Sequence, residues 1–223
     1  MRKVLIGLIL FGLVMAGRIW SEEGIKLPAP ELKAGASINY AIQSRRSVRS
    51  YKESPLSLKD ISQLLWSAQG ITDPKTRFRS APSAGAIYPL SVYVVVQKKG
   101  VDGLSPGIYL YVAEGHGLKQ MRSGDFYPDL VNAALNQDWI KRSSVVFIFT
   151  GEPFAMSLKY KERAWQYIFM GAGMAAENLI LQAVAMGLGS CPVGAFYDEK
   201  VAELIRLKGN EKPLLVVPVG KME

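Results

Sequence analysis

Arg45-Arg46-Ser47-Val48-Arg49 is the stretch around which the rest of this chain is organised. It places three guanidinium groups and a hydroxyl within five residues, ahead of a helix-like segment that begins near Ser57. A guanidinium group offers a planar fork of donors that matches a phosphate, and a serine hydroxyl can reach the same anion. These residues predict a phosphate-binding segment, although a solvated basic turn would have the same composition.

The composition is that of a globular domain with a basic surface. The chain has 223 residues, of which 49% are hydrophobic and 21% charged, and its net charge is +8. This length suffices for one domain with a sizeable core. The charge favours anionic partners, namely a nucleotide cofactor, nucleic acid or an anionic membrane surface. Outside residues 45–49, however, basic residues are interleaved with acidic ones, so nucleic-acid binding is not predicted.

The amino terminus differs in kind from the rest of the chain. Arg2 and Lys3 precede an uncharged run over residues 4–17, which is the arrangement of a signal peptide. The run is shorter than the roughly 20 residues of a membrane span, but residues 15–20 would extend it into an uncleaved anchor. We therefore expect a signal peptide or membrane anchor at 1–20, an extended arm at 21–39, and an exported or membrane-anchored protein. A cytoplasmic protein with a buried amino-terminal helix is the alternative.

A single cysteine and a single histidine limit the side-chain chemistry. Cys191 has no partner for an intramolecular disulfide and lies in an apolar segment before a proline. His116 lies in a glycine-containing turn between two strand-like segments. A buried small residue and a loop histidine are therefore favoured over a thiol nucleophile, and no metal site is predicted.

The hydrophobic patterns predict a mixed α+β fold. Apolar residues recur at helical spacing over Leu58–Ala68, with Ser57 as the N-cap and Asp60 in the first turn. Strands are predicted at Leu90–Val96, Gly107–Val112, Leu118–Met121, Val145–Thr150 and Leu214–Val219, and further helices at Ser37–Gln43, Leu130–Leu135 and Lys161–Met186. The first two strands flank a polar turn and are expected to pair antiparallel. Strands and helices do not alternate regularly, which disfavours a parallel βαβ sheet.

The helix predicted over Lys161–Met186 is mostly apolar around its circumference and is expected to be buried on all sides. Its middle, Gly171-Ala172-Gly173-Met174-Ala175-Ala176, matches the glycine pattern of dinucleotide-binding turns. That pattern requires a preceding strand, whereas residues 165–170 have a helical pattern. The small residues instead predict that another backbone approaches this helix closely.

Three further stretches combine residue types that are suited to ligand binding. Ala81–Pro89 is a loop of small residues that can place backbone against a flat ligand. Gly187–Phe196 presents backbone N–H groups in a tight turn. Lys159 and Tyr160 offer a general acid/base pair just before the long helix. Each stretch alone is also compatible with an ordinary turn.

Taken in order with Arg45–Arg49, these stretches resemble the FMN-dependent nitroreductase superfamily over about Tyr40–Lys221. The resemblance implies a nitroreductase-type fold for residues 40–223, with a mainly antiparallel sheet flanked by helices. Residues 45–49 match the family's Arg-Arg-Ser-x-Arg segment, in which Arg45 and Ser47 would hold the FMN phosphate. Arg49 would reach the ribityl and pyrimidine side of the flavin. Arg46 belongs to the same binding segment, and Lys221 would complete the phosphate site.

The resemblance also implies a homodimer with FMN at its interface. The loop that would lie over the flavin from the other subunit corresponds here to Pro82, Ser83, Ala84 and Gly85. The turn that would face flavin N5 with a backbone N–H, that of Gly194, consists of Pro192, Val193 and Gly194.

Within the superfamily, residues 82–89 and Lys159-Tyr160-x-x-Arg163 look most like the thiazole/oxazole-forming (azoline) dehydrogenase branch. A Lys-Tyr pair is implicated there in removing the ring proton, a role that would fall to Lys159 and Tyr160. The chain departs from that branch where Glu-x-Gly-His would be expected, at Gly171–Met174. The implied activity is hydride transfer to or from a small-molecule or peptide-borne substrate, with NAD(P)H as a candidate reductant. A catalytically idle FMN-binding or scavenging protein at the membrane is the alternative.

Overall fold

A computed structural model describes residues 24–33 and 35–223. The signal peptide or anchor predicted for residues 1–20 lies outside the described residues, as do the first residues of the predicted arm. The division into leader, arm and domain therefore stays a prediction.

The fold is built on one sheet of seven strands, and every strand pair in it is antiparallel. In chain order the strands are β1 (Ile25–Lys26), β2 (Leu90–Val96), β3 (Gly107–Val112), β4 (Gly117–Ser123), β5 (Val145–Gly151), β6 (Leu188–Ser190) and β7 (Lys212–Lys221). Their order across the sheet is β1-β4-β3-β2-β5-β7-β6. The α+β fold, the strands predicted from the sequence and the antiparallel pairing of β2 with β3 are confirmed.

Helices cover both faces of this sheet. They are α1 (Ile38–Ser44), α2 (Leu58–Gln69), α3 (Tyr127–Ala133), α4 (Phe154–Tyr160), α5 (Ala164–Ala185) and α6 (Asp198–Ile205). Alternate residues of β2 point to opposite faces, so that Val92 and Val94 join the core under α2 and α5. Tyr93 and Val95 join the second core, under α3 and α6. The central strands are therefore buried on both sides, which accounts for their continuous apolar sequence.

The start of α2 follows from its capping residues. The Ser57 hydroxyl accepts a hydrogen bond from the Asp60 N–H at 3.1 Å, and the Asp60 carboxylate accepts one from the Ser57 N–H at 2.8 Å. This reciprocal capping box satisfies two backbone N–H groups, and a serine cap typically contributes about 1 kcal/mol. The predicted N-cap is confirmed, and the apolar face beyond it packs against α5.

The long helix α5 lies within the predicted range, but its surroundings differ from the expectation. Residues such as Ile168 and Leu179 are fully buried against the sheet. On the opposite side, Phe169 is 57% exposed, Met170 51% and Met174 42%. The prediction of burial on all sides is therefore wrong for the single chain, because only one face of the helix meets the chain's own core. Phe154–Ala185 is long and apolar enough to cross a membrane by length and composition, and its packing on the sheet accounts for the same composition.

The helix predicted at Leu130–Leu135 is displaced towards the amino terminus. It begins at Tyr127 and ends at Ala133, while Trp139 and Ile140 lie in a separate 3₁₀ turn. Leu135 and Asn136 have φ of 57° and 55°, a left-handed conformation that an α-helix cannot contain. The apolar pattern continued across a turn that only the backbone angles reveal.

The described part of the predicted arm lies against the sheet. β1 pairs with β4, and Leu27 is buried in the core. The carbonyl oxygen of Pro28 accepts hydrogen bonds from the Ser62 hydroxyl at 2.5 Å and from the His116 ring at 3.0 Å. Burial lowers the pKa of His116, so its neutral form is favoured. His116 thus holds this segment to the body of the protein.

Candidate functional site

The basic segment 45–49 runs beside β6, at the edge of the sheet. The Val48 N–H donates to the Ser190 carbonyl at 2.9 Å, and Ser47 forms a parallel bridge with Ser190. A few residues on, the Lys52 N–H donates to the Lys221 carbonyl at 2.9 Å. The structure therefore brings together three stretches that are far apart in sequence, around residues 47, 190 and 221.

The cations of this segment have different surroundings. Within the described chain, Arg45, Arg46 and Arg49 form no ion pair with a carboxylate. Arg46 Nη1 donates to the carbonyls of Gln43 at 3.0 Å and Arg45 at 2.7 Å, so this guanidinium serves the carboxyl end of α1. The Arg49 guanidinium lies 5.7 Å from the Trp139 ring centroid. The guanidinium donors of Arg45 and Arg49 are therefore available to an anion, whereas Nη1 of Arg46 already donates to backbone carbonyls.

The close approach of this segment to β6 depends on Gly189. A Cβ at this position would lie 2.7 Å from Val48 Cγ1 and 2.9 Å from Met222 Cγ, nearer than such atoms can stand. Next to it, the Ser190 hydroxyl is buried and has no hydrogen-bond partner among the described residues. Tyr51 supports the segment from below, since its hydroxyl donates to the Val48 carbonyl at 2.7 Å and burial raises its pKa. The basic segment and β6 thus form a tightly packed cradle around Gly189.

In the turn after β6, the first backbone N–H that is free among the described residues is that of Gly194. Val193 uses both its N–H and its carbonyl on Val216, at 2.8 and 3.0 Å, and Pro192 has no N–H. Gly194 is exposed, and its N–H has no hydrogen-bond partner among the described residues. The predicted donor of this turn is thus the first one available for a ligand. Cys191 is buried between the turn and β7, which is compatible with the packing role expected for it.

Lys221 is in place by its backbone rather than by its side chain. Its carbonyl pairs with Lys52, whereas its ammonium group donates to the Ser54 hydroxyl at 3.3 Å. Its side chain is exposed, and its bond to Ser54 uses one of the three ammonium donors. The role of Lys221 in a phosphate site stays a prediction.

The loop with Pro82, Ser83, Ala84 and Gly85 follows a short bridge after α2. Ser83 is half-buried, and its hydroxyl oxygen accepts the Tyr88 N–H at 3.0 Å. Gly85 has φ of 62°, a left-handed conformation that a glycine adopts without strain. Pro82 is exposed, and the carbonyl of Pro82 faces Gly171 of α5. The loop therefore presents its small residues outward while its ends are anchored.

Lys159 and Tyr160 end α4 and meet this loop. A Cβ built on Gly85 would lie 2.7 Å from Lys159 Nζ and 2.8 Å from Tyr160 Oη, so both functional atoms stand on the side of the glycine where a side chain would be. The predicted acid/base pair and the predicted cofactor loop thus lie side by side in one chain, although more than 70 positions separate them in the sequence.

Tyr160 is held by Tyr167, which the sequence did not single out, and Tyr167 is in turn bound by Arg163 of the Lys159-Tyr160-x-x-Arg163 pattern. The Tyr167 ring packs edge-on against the Tyr160 ring, with centroids 4.9 Å apart. Arg163 Nε donates to the Tyr167 hydroxyl at 3.3 Å. Residues 160, 163 and 167 recur at helical spacing, and this spacing could have revealed the cluster. The contact of Tyr167 was missed because no helix was predicted over residues 154–160, and the break at Lys161, whose φ is 50°, was not foreseen.

The predicted site residues thus form two clusters. The phosphate-binding cluster comprises Arg45–Arg49, β6 and Gly194, and the loop cluster comprises Ser83, Gly85 and Lys159–Tyr160. The contacts described above join residues within each cluster, and none of them joins a residue of one cluster to a residue of the other. A cofactor that touches both clusters therefore has to bridge separate regions of the protein or of an assembly.

Comparison with known proteins identifies the scaffold. The sequence profile described as "Nitroreductase family" matches residues 42–221. The chain belongs to the nitroreductase family. Proteins of this family are oxidoreductases that typically bind flavin, and this nitroreductase-family chain is an oxidoreductase by the same assignment.

Individual relatives agree with that assignment. A nitroreductase-family protein of Methanocaldococcus jannaschii is 40% identical over 177 residues, which cover 79% of this chain and 87% of that protein. The crystal structure of a nitroreductase-family protein of Ralstonia eutropha superposes with a TM-score of 0.78 at 26% identity, over 91% of this chain and 90% of the other. The predicted nitroreductase fold is confirmed.

A third relative concerns the branch of the family. The microcin B17-processing protein McbC of Escherichia coli is 24% identical over 167 residues, which cover 73% of this chain. The chain spans 61% of the length of McbC. The resemblance to the thiazole/oxazole-forming branch is confirmed at the level of sequence similarity.

Proposed function

We propose that this protein is an FMN-dependent oxidoreductase that transfers hydride to or from a small-molecule or peptide-borne substrate, with NAD(P)H as the candidate reductant where the substrate is reduced. The proposal rests on the donors of the phosphate-binding cluster. The basic segment pairs with Ser190 through its backbone. Among the described residues, the guanidinium groups of Arg45 and Arg49 have no carboxylate partner, and the hydroxyl of Ser190 and the N–H of Gly194 have no hydrogen-bond partner. This is a donor set that fits an anionic cofactor with hydrogen-bond acceptors along its length.

In the phosphate-binding cluster, Arg45 and Ser47 would bind the FMN phosphate through charge-assisted hydrogen bonds. Arg46 contributes less than its position in the motif implies, because its guanidinium already binds backbone carbonyls. The cradle around Gly189 supports this fit, since the close approach of β6 fixes the backbone on either side of Ser47. The residues present therefore suit a phosphate ester.

At the other end, Arg49 and Gly194 would act on the ring. The Arg49 cation would stabilise negative charge on the pyrimidine edge, and the Gly194 N–H would orient a ring nitrogen. When bound, FMN supplies the hydride acceptance and donation, for which no side chain of the protein is suited. The protein contributes position and electrostatics.

We propose that the cofactor lies between two copies of the chain. Among the described residues, the contacts given above join none of the phosphate-binding cluster to the loop cluster, and α5 exposes the side chains of Phe169, Met170 and Met174 beside Gly173. A second copy packed on this apolar face would cover it. Pro82, Ser83, Ala84 and Gly85 of one copy would then lie over the cofactor that Arg45 and Ser47 of the other copy bind.

Lys159 and Tyr160 would carry proton transfer to or from the substrate. Their functional atoms converge on Gly85, at the place that a side chain on this residue would occupy. An ammonium and a phenol that both border Gly85 can serve as proton donor and acceptor at one place. The similarity to McbC favours a substrate whose ring proton must be removed, such as a peptide-borne azoline. Such a ring would lose its proton to this pair and a hydride to oxidised FMN, and an electron acceptor such as dioxygen or a quinone would reoxidise the cofactor.

The proposal is tested first by the colour of the protein. The full chain is purified with its bound small molecules, and its visible spectrum and the mass of the released flavin are measured. We expect an FMN spectrum and consumption of NAD(P)H with a quinone or nitroaromatic acceptor. A colourless protein that also fails to take up added FMN would refute the cofactor assignment.

The substrate class is tested separately. A peptide with a thiazoline ring and a nitroaromatic compound are supplied to the FMN-loaded protein, and the products are identified by mass. Loss of two hydrogens from the thiazoline peptide would support the azoline assignment, and reduction of the nitro group alone would contradict it. Stable FMN without turnover of any acceptor would instead support the idle flavin-binding alternative.

We further propose that the protein is exported or membrane-anchored, on the basis of Arg2, Lys3 and the apolar run that follows. Fractionation of cells that express the full chain tests this. Recovery in the cytoplasmic fraction would refute it.

A further inference from the structure

The loop that carries Ser83 is held in a conformation that its own residues do not favour. Gly85, Ala86 and Tyr88 have φ of 62°, 54° and 53°. Left-handed angles suit glycine but are disfavoured for residues with a side chain, and they persist where surrounding contacts over-determine the backbone. Because Ala86 and Tyr88 both carry a Cβ, contacts outside the loop must hold it.

Tyr88 contacts Ser83 within the loop through its backbone and Arg79 outside the loop through its side chain. Its backbone N–H donates to the Ser83 hydroxyl oxygen at 3.0 Å. Its phenol oxygen accepts the backbone N–H of Arg79 at 3.2 Å, and the Arg79 guanidinium lies 4.9 Å from the centre of its ring. Tyr88 therefore connects Ser83 to Arg79.

Arg79 is in turn fixed by two elements of the body. Its side chain is only 16% exposed, and its Nη2 pairs with Glu114 Oε1 at 3.1 Å, in the turn between β3 and β4. Its Nη1 donates to Gln69 Oε1 at 3.3 Å, at the end of α2. The guanidinium thus has a carboxylate, an amide and an aromatic ring around it, which set its position more firmly than a surface pair would.

We infer that Arg79 is a positioning residue for Ser83, acting through Tyr88. The ion pair with Glu114 fixes the guanidinium against the Tyr88 ring, and Tyr88 holds the Ser83 oxygen with its N–H. Since that oxygen accepts a hydrogen bond, the hydroxyl hydrogen of Ser83 stays available as a donor to a ligand. The inference rests on the proposed function, because Ser83 is taken to contact the cofactor.

A double-mutant cycle tests whether Arg79 acts through Ser83. The FMN dissociation constant is measured for the wild type, Arg79→Ala, Ser83→Ala and the double variant. We expect each single variant to bind FMN about tenfold more weakly, the effect of one lost hydrogen bond. The double variant should bind no more weakly than Ser83→Ala does, to within about twofold. Additive losses, about a hundredfold in the double variant, would overturn the inference.

Arg77→Ala is the matched control. Arg77 also pairs with Glu114, at 3.7 Å, but its side chain is 55% exposed, and the ring contact with Tyr88 belongs to Arg79. We expect Arg77→Ala to bind FMN as the wild type does, and Arg79→Lys to recover part of the affinity that Arg79→Ala loses. An Arg77→Ala loss equal to that of Arg79→Ala would show a general effect of surface charge and would contradict the positioning role.

A second measurement does not involve the cofactor. Hydrogen exchange of the Tyr88 amide is followed in the FMN-free protein, where its partner is Ser83. Exchange should be about tenfold faster in Arg79→Ala and in Ser83→Ala than in the wild type, and unchanged in Arg77→Ala. Unchanged exchange in Arg79→Ala would overturn the inference whether or not FMN binds. If the variants change the exchange of the Tyr88 amide as expected but the wild type binds no FMN, the proposed function is refuted and the positioning role of Arg79 stands.

Discussion

The backbone N–H of Val48 donates to the carbonyl of Ser190 at 2.9 Å, and this bond lays the basic segment along β6. The bond is possible because Gly189 has no side chain to hold the two backbones apart. One end of the proposed cofactor site thus depends on a contact between two short segments about 140 positions apart.

Gly189→Ala is expected to disturb this contact. The new Cβ would stand less than 3 Å from Val48 and Met222, so the segment must shift, at a cost of about 1–3 kcal/mol in the free energy of unfolding. FMN affinity should fall with it. Urea denaturation and FMN titration check both effects. Unaltered FMN affinity would indicate that the position of Val48 does not matter for the cofactor.

The Gly194 N–H can be removed while its neighbours stay. Gly194→Pro should weaken FMN binding by about tenfold, since a ligand loses one backbone donor. Gly194→Ala keeps the N–H, and a Cβ there would meet no atom within 4 Å, so it is the matched control. Equal affinity of the two variants would contradict the role of this N–H.

The exposed face of α5 is expected to form the dimer. Phe169→Asp places a charge on this face and should weaken dimerisation by roughly a hundredfold, because the carboxylate would have to be buried without a partner. Light scattering coupled to size-exclusion chromatography measures the mass. Met121→Asp, on the exposed side of β4, is the control and should leave the mass unchanged. A wild type that is monomeric at all concentrations would refute the shared site.

Lys159→Gln and Tyr160→Phe should separate catalysis from cofactor binding. We expect a loss of about 10²- to 10⁴-fold in turnover of a substrate that must give up a proton, with FMN affinity unchanged. Lys161→Gln is the control, because Lys161 lies just beyond the pair in the 3₁₀ turn. Full activity of both variants would leave the pair without a catalytic role.

The pH dependence of stability is expected to report His116. Burial lowers its folded-state pKa from the ordinary value of 6.5, so the folded protein holds the neutral ring. The stability that this provides is present above the unfolded pKa and is lost as the pH falls through the folded pKa. The free energy of unfolding should therefore drop as the pH falls below about 6.5. His116→Gln should flatten this part of the curve; an unchanged slope would assign it to other groups.

Much of the fold could be predicted from local patterns. The β-branched run at Leu90–Val96 predicted β2 with its observed bounds, and Ser57 and Asp60 predicted the start of α2. These succeed because pleat periodicity and helix capping act within a few residues. The helix after Tyr127 was misplaced, since apolar residues on both sides of a left-handed turn look like one pattern.

The candidate site divides in the same way. The sequence by itself determined the residue types of the phosphate segment, the Pro-Ser loop, the Lys-Tyr pair and the glycine turn, because their order along the chain is that of the nitroreductase family.

Only the tertiary structure decided which of these residues meet. It placed Lys159 and Tyr160 on Gly85, turned Arg46 back to its own helix, and revealed Arg79 and Tyr88 behind Ser83. Such contacts depend on how sheet and helices pack across long sequence separations. No local pattern carries that information.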